Sequence, residues 1–504
     1  MTPETQITML SALIMPPGLI DRPEVPILPA NLIGVGLRDY QWLMLLEAAR
    51  LMRIGHRRIL LQAPTGAGKT VIATALMGGA ARQGLSSEFI VHRKELIKQT
   101  SVAFTARGLT HGFVAAGWPN DPNTGITLAG VQTLANRLAG LFPPNLVICD
   151  EAHHATSETW ARVLSSYKDA YVIGLTATPE RLDGRGLAEH FDVMVQGPSV
   201  ATLIRRGFLA PFEFYAPVIP EMDGIASVGG DFAVGATAAV VDKPKLVGDI
   251  VEHYLRLAPG EQGIVFAVSR EHSRHIAAAF QGEGVAARHV DGSMSDKERD
   301  RFDAEFRAGD IRIGVNVDLF GEGYDVPNIT YVGDAAPSRS LSKVMQRWGR
   351  ALRPPKRAVI CDHAGNSVPR HLGGRGHGLP DTARTWSLQG RPKKKSNGAG
   401  QDAEPITQCK TCFRVYPSVA ARCPGCGVEP PPKPRVVQTE AGTLTKLEKQ
   451  ELALERSKRL RREVWACTTF SEMISLAKAR NYDRPKGWAS IQCKMRGIPR
   501  VLDK

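Results

Sequence analysis

The sequence lacks a long hydrophobic run, an export signal and a solenoid-type repeat. Its N-terminal apolar stretch follows Glu4 with no Lys or Arg before it, and Pro16 and Pro17 cut it short. This pattern excludes a secretory signal and a membrane-spanning helix at this position. Cysteine is also sparse, with eight in 504 residues. Without an export signal they indicate a reducing compartment, so we expect a cytoplasmic protein without membrane contact, in which clustered cysteines bind metal.

The composition is that of an ordinary globular protein, with 43% hydrophobic and 23% charged residues. A chain of 504 residues corresponds to about three domains, which excludes a single small binding module. The net charge of +14 is confined to one region, because residues 371–504 hold 26 Lys and Arg against 12 Asp and Glu, whereas residues 1–370 hold 38 of each. A basic tail on a neutral body predicts a polyanionic partner.

Short runs of Val, Ile and Leu without polar alternation recur between residues 35 and 365, each followed by a turn and a helical segment. Strands that are buried on both faces of a parallel sheet have this pattern. We therefore predict two α/β lobes. The runs are RRILLQA, SSEFIVH, NLVICDE and YVIGLTA in the first half, and GIVFAVS, IRIGVNV, ITYVGDA and RAVICDH in the second.

The first run leads into APTGAGKT at 63–70 and then into a helical pattern. In such a strand, loop and helix, Gly66 and Gly68 let backbone N–H groups point at a phosphate chain. Lys69 supplies a charge for the β and γ phosphates, and Thr70 supplies a hydroxyl for Mg²⁺. Ala63 replaces the first Gly of the general motif with another small residue. The segment predicts an ATP site.

NLVICDEAHH, at 145–154, ends a predicted strand with two adjacent carboxylates. Asp150 is placed to hold Mg²⁺, and Glu151 to polarise the attacking water. His153 is a candidate sensor of the γ-phosphate or a bridge to the next strand, and His154 is assigned only to packing. The alternative for Asp150 and Glu151 is a capping or surface acid pair.

With these two motifs the sequence resembles superfamily 2 helicases of the DEAH type. The resemblance implies an adenine-reading role for Gln41 in LRDYQ. It also implies contacts with the nucleic-acid backbone from Arg93 in HRKEL and from Gln132 and Thr133 in GVQTL. TATP, at 176–179, matches the element that couples the nucleotide site to the nucleic-acid site.

The second half carries the rest of the family set, which implies two RecA-like lobes. Gly323 and Asp325 are implied nucleotide contacts, with Asp325 holding a ribose hydroxyl. Gly321 departs from the family, where Thr is frequent, which puts one phosphate-backbone contact in doubt. The matching segments are IVFAVSREHS at 264–273, VNVDLFGEGYDVP at 315–327 and QRWGRALR at 346–353.

In QRWGRALR, Arg350 and Arg353 are three residues apart and so face one side of a helix. Two guanidinium groups supplied by the second lobe can stabilise the charge that develops on the γ-phosphate. Such arginine fingers change the rate by about 10³- to 10⁵-fold. Gln346 precedes them on the same element. We predict that all three are catalytic; the alternative is a solvated helix face.

The finer resemblance is to RadD-type DNA repair helicases of bacteria and phages, and it covers roughly residues 35–430. CDHAGN at 361–366 closes the second lobe as in that family. The resemblance implies ATP-dependent action on single-stranded, forked or junction DNA in repair or recombination. Repair or replication proteins are implied partners.

Two CxxC pairs, Cys409 with Cys412 and Cys423 with Cys426, predict a tetrathiolate zinc ribbon. The alternative is a pair of redox-active CxxC motifs. A closed site of this kind positions DNA or a partner and does not catalyse, because every ligand position is filled. The other cysteines are assigned to packing or free thiols: Cys149, Cys361, Cys467 and Cys493.

The basic tail interleaves Lys and Arg with Trp465, Tyr482 and Trp488. Such a mixture suits single-stranded or junction DNA, with Trp488 as a stacking candidate. The equally weighted alternative is a small helical domain whose aromatics form its core. Lys393, Lys394 and Lys395 lie in a basic linker with incidental DNA affinity.

The predicted architecture is α/β, with two tandem RecA-like parallel-sheet lobes followed by a zinc ribbon and a small basic helical region. The predicted function is an ATP-dependent DNA helicase or translocase that uses ATP, Mg²⁺ and Zn²⁺. An RNA helicase, the motor subunit of a restriction system and a non-hydrolysing DNA-binding scaffold are the alternatives. We assume a monomer; the sequence leaves polarity, preferred DNA structure and strand separation open. The predicted segments are an N-terminal extension 1–34, ATP-binding lobe 35–210, second lobe 211–365, linker 366–408, zinc ribbon 409–428, Pro-rich spacer 429–442 and tail 443–504.

Overall fold

The computed structural model divides the chain into two units, residues 1–430 and 431–504. The predicted N-terminal extension, nearly all of the Pro-rich spacer and the first part of the tail lie outside the described residues. Among the described residues, no helix has both the length and the apolar character that crossing a bilayer requires. The structure describes residues 36–121, 124–154, 158–181, 184–217, 219–228, 230–320, 329–370, 373–390, 406–429, 463–480, 482, 484–496 and 498.

The first unit contains a seven-stranded parallel sheet in the order β3-β4-β2-β5-β6-β1-β7. Neighbouring residues on β1 enter different cores, since Ile59 and Leu61 join one cluster and Leu60 joins the other. The sheet is therefore buried on both faces, as its apolar runs predict. The strands are β1 Arg58–Gln62, β2 Ser87–Val91, β3 Gly112–Val114, β4 Ile126–Gly130, β5 Leu146–Cys149, β6 Tyr171–Thr176 and β7 Val193–Gln196.

A second, six-stranded parallel sheet follows, in the order β12-β13-β11-β14-β15-β8. Its central strand shows the same division, with Ile264 and Phe266 on one face and Val265 on the other. The two predicted α/β lobes are confirmed, and each of the eight predicted runs contains a strand. The strands of this sheet are β8 Phe212–Tyr215, β11 Gly263–Phe266, β12 Ala287–Val290, β13 Ile313–Asn316, β14 Tyr331–Asp334 and β15 Ala358–Asp362.

Helices cover both sheets, and the described part of the first unit also contains two short antiparallel hairpins. The hairpins are β9 Ser227–Val228 with β10 Asp231–Phe232, and β16 Ile406–Gln408 with β17 Val415–Pro417. The helices of the first unit are α1 Asp39–Arg53, α2 Lys69–Arg82, α3 Lys94–Thr105, α4 Val131–Arg137, α5 Glu158–Ser166, α6 Val200–Arg205, α7 Val234–Val241, α8 Pro244–Leu257, α9 Arg270–Gly282, α10 Asp296–Ala308 and α11 Leu341–Trp348, with short 3₁₀ turns at Leu138–Gly140 and Ala152–His154.

The described residues of the second unit include helices α12 Phe470–Ala479 and α13 Pro485–Arg496. Thr469 begins α12 with a reciprocal cap, in which its hydroxyl accepts from the Glu472 N–H. Met473, Ile474 and Cys493 form a small buried core between the helices. The predicted basic helical region is present in these residues.

Matched charges join the two lobes on an exposed face. Lys94 Nζ of α3 lies 3.1 Å from Asp296 Oδ1 of α10, and Lys98 Nζ lies 2.6 Å from Asp300 Oδ1. The hydrogen bond from Lys94 lowers the pKa of Asp296. All four side chains are exposed. Such pairs are weak and screened by salt, so they bias the lobes towards contact without locking them.

The substitution Lys98→Asp places a carboxylate opposite Asp300. We expect the ratio of separated to closed lobes to rise by about two- to five-fold. Adding Asp300→Lys exchanges the charges and restores the parent ratio. Energy transfer between one dye on each lobe measures this ratio, and the differences between variants shrink at high salt. A double variant that stays as open as Lys98→Asp would contradict the role of this ion pair.

Candidate active site

The phosphate loop connects β1 to α2 and needs glycine at two positions. Gly66 and Gly68 have φ values of +83° and +80°, which is the left-handed region. A Cβ atom on Gly68 would lie 2.5 Å from Gln41 Nε2, so a side chain there would displace the Gln41 amide. Lys69 is the first residue of α2, and Thr70 follows it. The loop thus leads to a helix N-terminus, which favours bound phosphate.

Gln41 lies on α1 and forms a hydrogen bond with this loop. Its Nε2 donates to the carbonyl oxygen of Ala67 at 2.9 Å, and its Oε1 accepts from the backbone N–H of Arg38 at 2.9 Å. The Tyr40 hydroxyl donates to the same Ala67 oxygen at 2.7 Å. Gln41 therefore lies beside the phosphate loop, as the adenine-reading prediction requires, although its contact with adenine stays a prediction.

The two adjacent carboxylates follow β5, close to the phosphate loop. Lys69 Nζ lies 3.8 Å from Glu151 Oε1, and His153 Nδ1 lies 3.5 Å from Glu151 Oε2. Glu151 is buried and has a left-handed φ of +46°. Asp150 Oδ1 accepts the Glu151 N–H at 3.0 Å. The structure brings Lys69, Glu151 and His153 together, which gives an acid that can polarise water beside a phosphate-binding cation.

Hydrogen bonds lead from His153, which lies beside this acid, into the second lobe. His153 Nδ1 lies 3.3 Å from Thr176 Oγ1, which donates to the carbonyl of Thr178 at 2.9 Å. The hydroxyl of Thr178 donates to Ser342 Oγ at 2.7 Å, and Ser342 lies on α11. Both threonines belong to the predicted coupling element TATP. Ser342 was not predicted, because only the folded chain places it beside Thr178.

The end of α11 lies directly against the phosphate loop. A Cβ atom on Gly349 would lie 2.6 Å from Thr65 Cβ, although the φ of Gly349, −62°, suits any residue. Glycine is therefore required here by the close approach alone. Arg350, next to Gly349, and Gln346 on α11 are both buried, with exposed fractions of 5% and 2%. Because α11 ends at Trp348, Arg350 and Arg353 lie after the helix, and the prediction that they face one side of a helix is wrong. Burial lowers the pKa of Arg353.

Two acids that the sequence analysis did not identify anchor α11. The buried Asp334, at the end of β14, accepts from Arg347 Nη1 at 3.2 Å and from Trp348 Nε1 at 3.0 Å. Burial raises its pKa. Asp231 of the β9–β10 hairpin accepts from the Arg339 N–H at 2.8 Å, just before α11. CDHAGN also contributes to this anchor, since Asn366 Nδ2 donates to Asp334 Oδ2 at 3.0 Å.

The predicted nucleic-acid contacts of the first lobe follow two adjacent strands. Arg93 comes after β2, and Gln132 and Thr133 begin α4 after β4. Arg93 Nη1 donates to the Asp318 carbonyl of the second lobe at 2.9 Å. The three residues therefore lie close together beyond the carboxyl ends of these neighbouring strands. Gly323, Asp325, Lys393, Lys394 and Lys395 lie outside the described residues, as does the departure at Gly321.

The four predicted zinc ligands form one cluster. The sulfur atoms of Cys409, Cys412, Cys423 and Cys426 all lie within 4.8 Å of one another. Two of these distances, Cys409 to Cys426 and Cys412 to Cys423, are 3.5 Å. Tetrahedral zinc with bonds of about 2.3 Å separates its sulfur ligands by about 3.8 Å. The donor set and its spacing fit zinc.

Trp488 packs against the small core of the second unit. Its ring centre lies 5.0 Å from that of Tyr482. Trp465 differs, with 70% of its surface exposed. For Trp488 the geometry favours the alternative of a small helical domain with an aromatic core.

Comparison with known proteins identifies the family. Residues 34–181 match the family described as Type III restriction enzyme, res subunit, and residues 243–355 match the Helicase conserved C-terminal domain. A 51.5 kDa protein of Lactococcus phage (isolate 7-9) is 33% identical over 372 residues, which are 73% of this chain and 77% of the phage protein. The chain belongs to the superfamily 2 helicases. This helicase is accordingly an ATP-hydrolysing enzyme.

Two other relatives carry informative names. The Saccharomyces cerevisiae protein IRC3, whose name contains the words ATP-dependent helicase, is 28% identical over 63% of this chain. DNA 3'-5' translocase XPB2 of Sulfurisphaera tokodaii is 27% identical over 65% of this chain and 80% of its own length. The helicase spans about half the length of the yeast relatives that it matches, at 49% and 55%.

A solved structure shares the fold of the helicase. It is a fragment assigned as the HsdR subunit of a type I restriction enzyme from Vibrio vulnificus YJ016. The TM-score is 0.53 and the identity 22%, over 66% of each chain. The likeness supports the two-lobed α/β fold and no particular activity.

The substitution Gly349→Ala forces the end of α11 away from Thr65. We expect the ATP turnover number to fall by about 10- to 100-fold, because small displacements of catalytic groups are costly. The dissociation constant for ATP should change little, since Gly66, Gly68 and Lys69 of the phosphate loop are retained. Phosphate release and equilibrium ATP binding measure the two quantities.

Gly248→Ala is the matched control for this substitution. Gly248 lies on α8 of the same lobe, and a Cβ atom there would meet nothing within 4 Å. We expect the parent rate from this variant. Equal ATP turnover numbers for Gly349→Ala and the parent would contradict the proposal that Gly349 must lie close to Thr65.

Proposed function

We propose that this helicase is an ATP-driven DNA helicase or translocase whose nucleotide binds between the two lobes. Gly66, Gly68 and Lys69 bind the phosphates. Thr70 and Asp150 supply the hydroxyl and carboxylate oxygens that Mg²⁺ prefers, and the ion neutralises phosphate charge when bound. Glu151 polarises the attacking water.

The second lobe supplies the positive charges that stabilise the γ-phosphate during hydrolysis. Gln346, Arg350 and Arg353 complete the site in this proposal, with the two guanidinium groups facing the γ-phosphate. The observation that carries the proposal is the contact between Gly349 and Thr65, because it supports placing the arginine-bearing element at the phosphate loop. Gln41 reads adenine, and the predicted roles of Gly323 and Asp325 in nucleotide binding belong to the same proposal.

Turnover is coupled to lobe movement through the buried path from His153 to Ser342. A change at Glu151 on phosphate release alters the hydrogen bonds of His153 and Thr176, and Thr178 passes the change to α11. Opening and closing then alternate with hydrolysis, which is how a two-lobed motor steps along a strand.

DNA is the proposed nucleic-acid substrate, and Arg93, Gln132 and Thr133 contact its sugar-phosphate backbone. The basic tail and the name of the translocase relative support DNA. A motor subunit of a restriction system is the second candidate, which the description of the first matched family favours. Action in repair or recombination, the closeness to RadD-type enzymes, a monomeric state and a cytoplasmic location stay predictions.

Lys69→Ala and Glu151→Gln test this function. We expect each to lower phosphate release by at least about 100-fold, because one loses the phosphate-binding charge and the other the group that polarises water. DNA binding should be retained. Phosphate release is measured with single-stranded, duplex and forked DNA and with RNA; single-stranded or forked DNA should stimulate the parent most.

Lys168→Ala and Glu158→Gln are matched controls, since both side chains are exposed in the first lobe. Both should keep the parent rate. Stimulation by RNA alone would favour an RNA helicase. ATP binding without DNA-dependent phosphate release would favour a scaffold, and nucleolytic activity on addition of a nuclease subunit would favour a restriction motor.

We further propose that Cys409, Cys412, Cys423 and Cys426 hold one structural zinc ion. The reduced protein should contain about one zinc per chain, and Cys423→Ser should lose it, because three thiolates leave the site incomplete. Cys467→Ser is the control and should keep the metal. Elemental analysis gives the zinc content. Zinc-free protein with four of its eight cysteines oxidised would favour the redox alternative.

A further inference from the structure

The second unit presents a tryptophan that its own core does not use. Trp465 is 70% exposed, whereas Trp488 packs against the core that contains Met473 and Cys493. An indole ring is a large apolar surface, and leaving it in water is unfavourable. The exposed ring of Trp465 therefore offers a contact surface to a partner.

Arg496 fixes one face of this ring. Its guanidinium carbon lies 4.7 Å from the centre of the Trp465 ring. The same guanidinium donates to the carbonyls of Trp465 at 2.9 Å and of Cys467 at 3.0 Å, and also to that of Val464. These bonds to the main chain hold the cation in place. The indole is thus backed by a charged plane on one face, and its exposed surface remains for a second flat group.

The charges around the ring favour an anionic partner. Residues 463–498 hold six Lys and Arg against three Asp and Glu. Glu463 accepts from Arg480 Nη2 at 2.9 Å, and Glu472 accepts from the backbone N–H groups of the helix cap, so both acids serve local structure. Exposed cations remain on the same unit: Lys478, Arg484, Lys486 and Lys494.

A rigid aromatic ring beside exposed cations matches the chemistry of a nucleic-acid strand. The bases offer flat rings for stacking, and the phosphates neutralise the cations. Bases in a duplex are already stacked on each other, so the exposed ring selects single strands. A protein partner would bury the same ring, but it would not by itself account for the excess of exposed cations.

We propose that Trp465, backed by Arg496, is a stacking platform for a base of single-stranded DNA or RNA. This assigns base stacking to Trp465 in place of the predicted Trp488. The inference rests on the proposed function because it takes nucleic acid as the partner. It adds a contact that belongs to the second unit and does not require ATP.

The test uses the full-length protein without nucleotide and a labelled 20-residue oligo(dT), with binding followed by fluorescence anisotropy. Trp465→Ala should weaken binding by about 5- to 150-fold, the value of one stacked base. Trp465→Phe should keep most of the affinity, since it retains a ring. Phe142→Ala is the matched control, because Phe142 is an exposed aromatic of the first unit, at 96% exposure.

A second ligand distinguishes base stacking from charge interactions with the phosphates. An abasic oligonucleotide of the same length keeps the phosphates and lacks the bases, so parent and Trp465→Ala should bind it equally. Parent-like binding of oligo(dT) by Trp465→Ala, or an equal loss on both ligands, would overturn the platform. If Trp465→Phe lost as much affinity for oligo(dT) as Trp465→Ala, the platform would also be overturned, because an aromatic ring alone should suffice.

These outcomes are distinct from failure of the motor proposal. If the parent binds oligo(dT) through Trp465 but releases no phosphate with any nucleic acid, the platform stands and the motor function fails. If phosphate release depends on DNA but Trp465→Ala binds both ligands like the parent, the motor stands and the platform fails. Thermal melting of each variant checks that the second unit is folded.

Discussion

Gly349 allows the end of α11 to lie directly against the phosphate loop, and the chemistry of the cleft depends on this approach. Its backbone conformation suits any residue, so the requirement is purely steric. A methyl group would meet Thr65 and push back the adjacent Arg350. The same element is fixed from behind, since Asp334 holds its last turn and Asp231 holds the residues before it. Helix α11, which leads directly to Arg350 and Arg353, is therefore anchored within its own lobe.

The contacts that join the lobes differ in strength. The hydrogen bond between Thr178 and Ser342 is buried, and its geometry is specific. The ion pairs from Lys94 and Lys98 are exposed and therefore weak. This combination suits the proposed motor, whose closed state is defined at the catalytic groups and opens after each turnover. Strong ion pairs on the outer face would oppose opening.

The apolar runs predicted every interior strand of the two large sheets except β4, because these strands are buried on both faces. They did not predict β12, Ala287–Val290, where Arg288 and His289 interrupt the run, or the three-residue β3, Gly112–Val114. In the site, Lys69 and Glu151 were predictable from local motifs. Ser342 was not, because its partner Thr178 is 164 residues away and one serine carries no pattern. Contacts formed only by folding lack a local signal.

The zinc ribbon is attached to the second lobe and covers the edge of its sheet. Arg414 pairs with Tyr215 of the edge strand β8 through a backbone bridge, and its guanidinium lies 3.1 Å from Glu213. The backbone N–H of Ala216 donates to the Phe413 carbonyl at 3.1 Å. An uncovered edge strand invites pairing with other chains. The proposed zinc site therefore bears on lobe 2, because the ribbon that carries its four cysteines covers this edge.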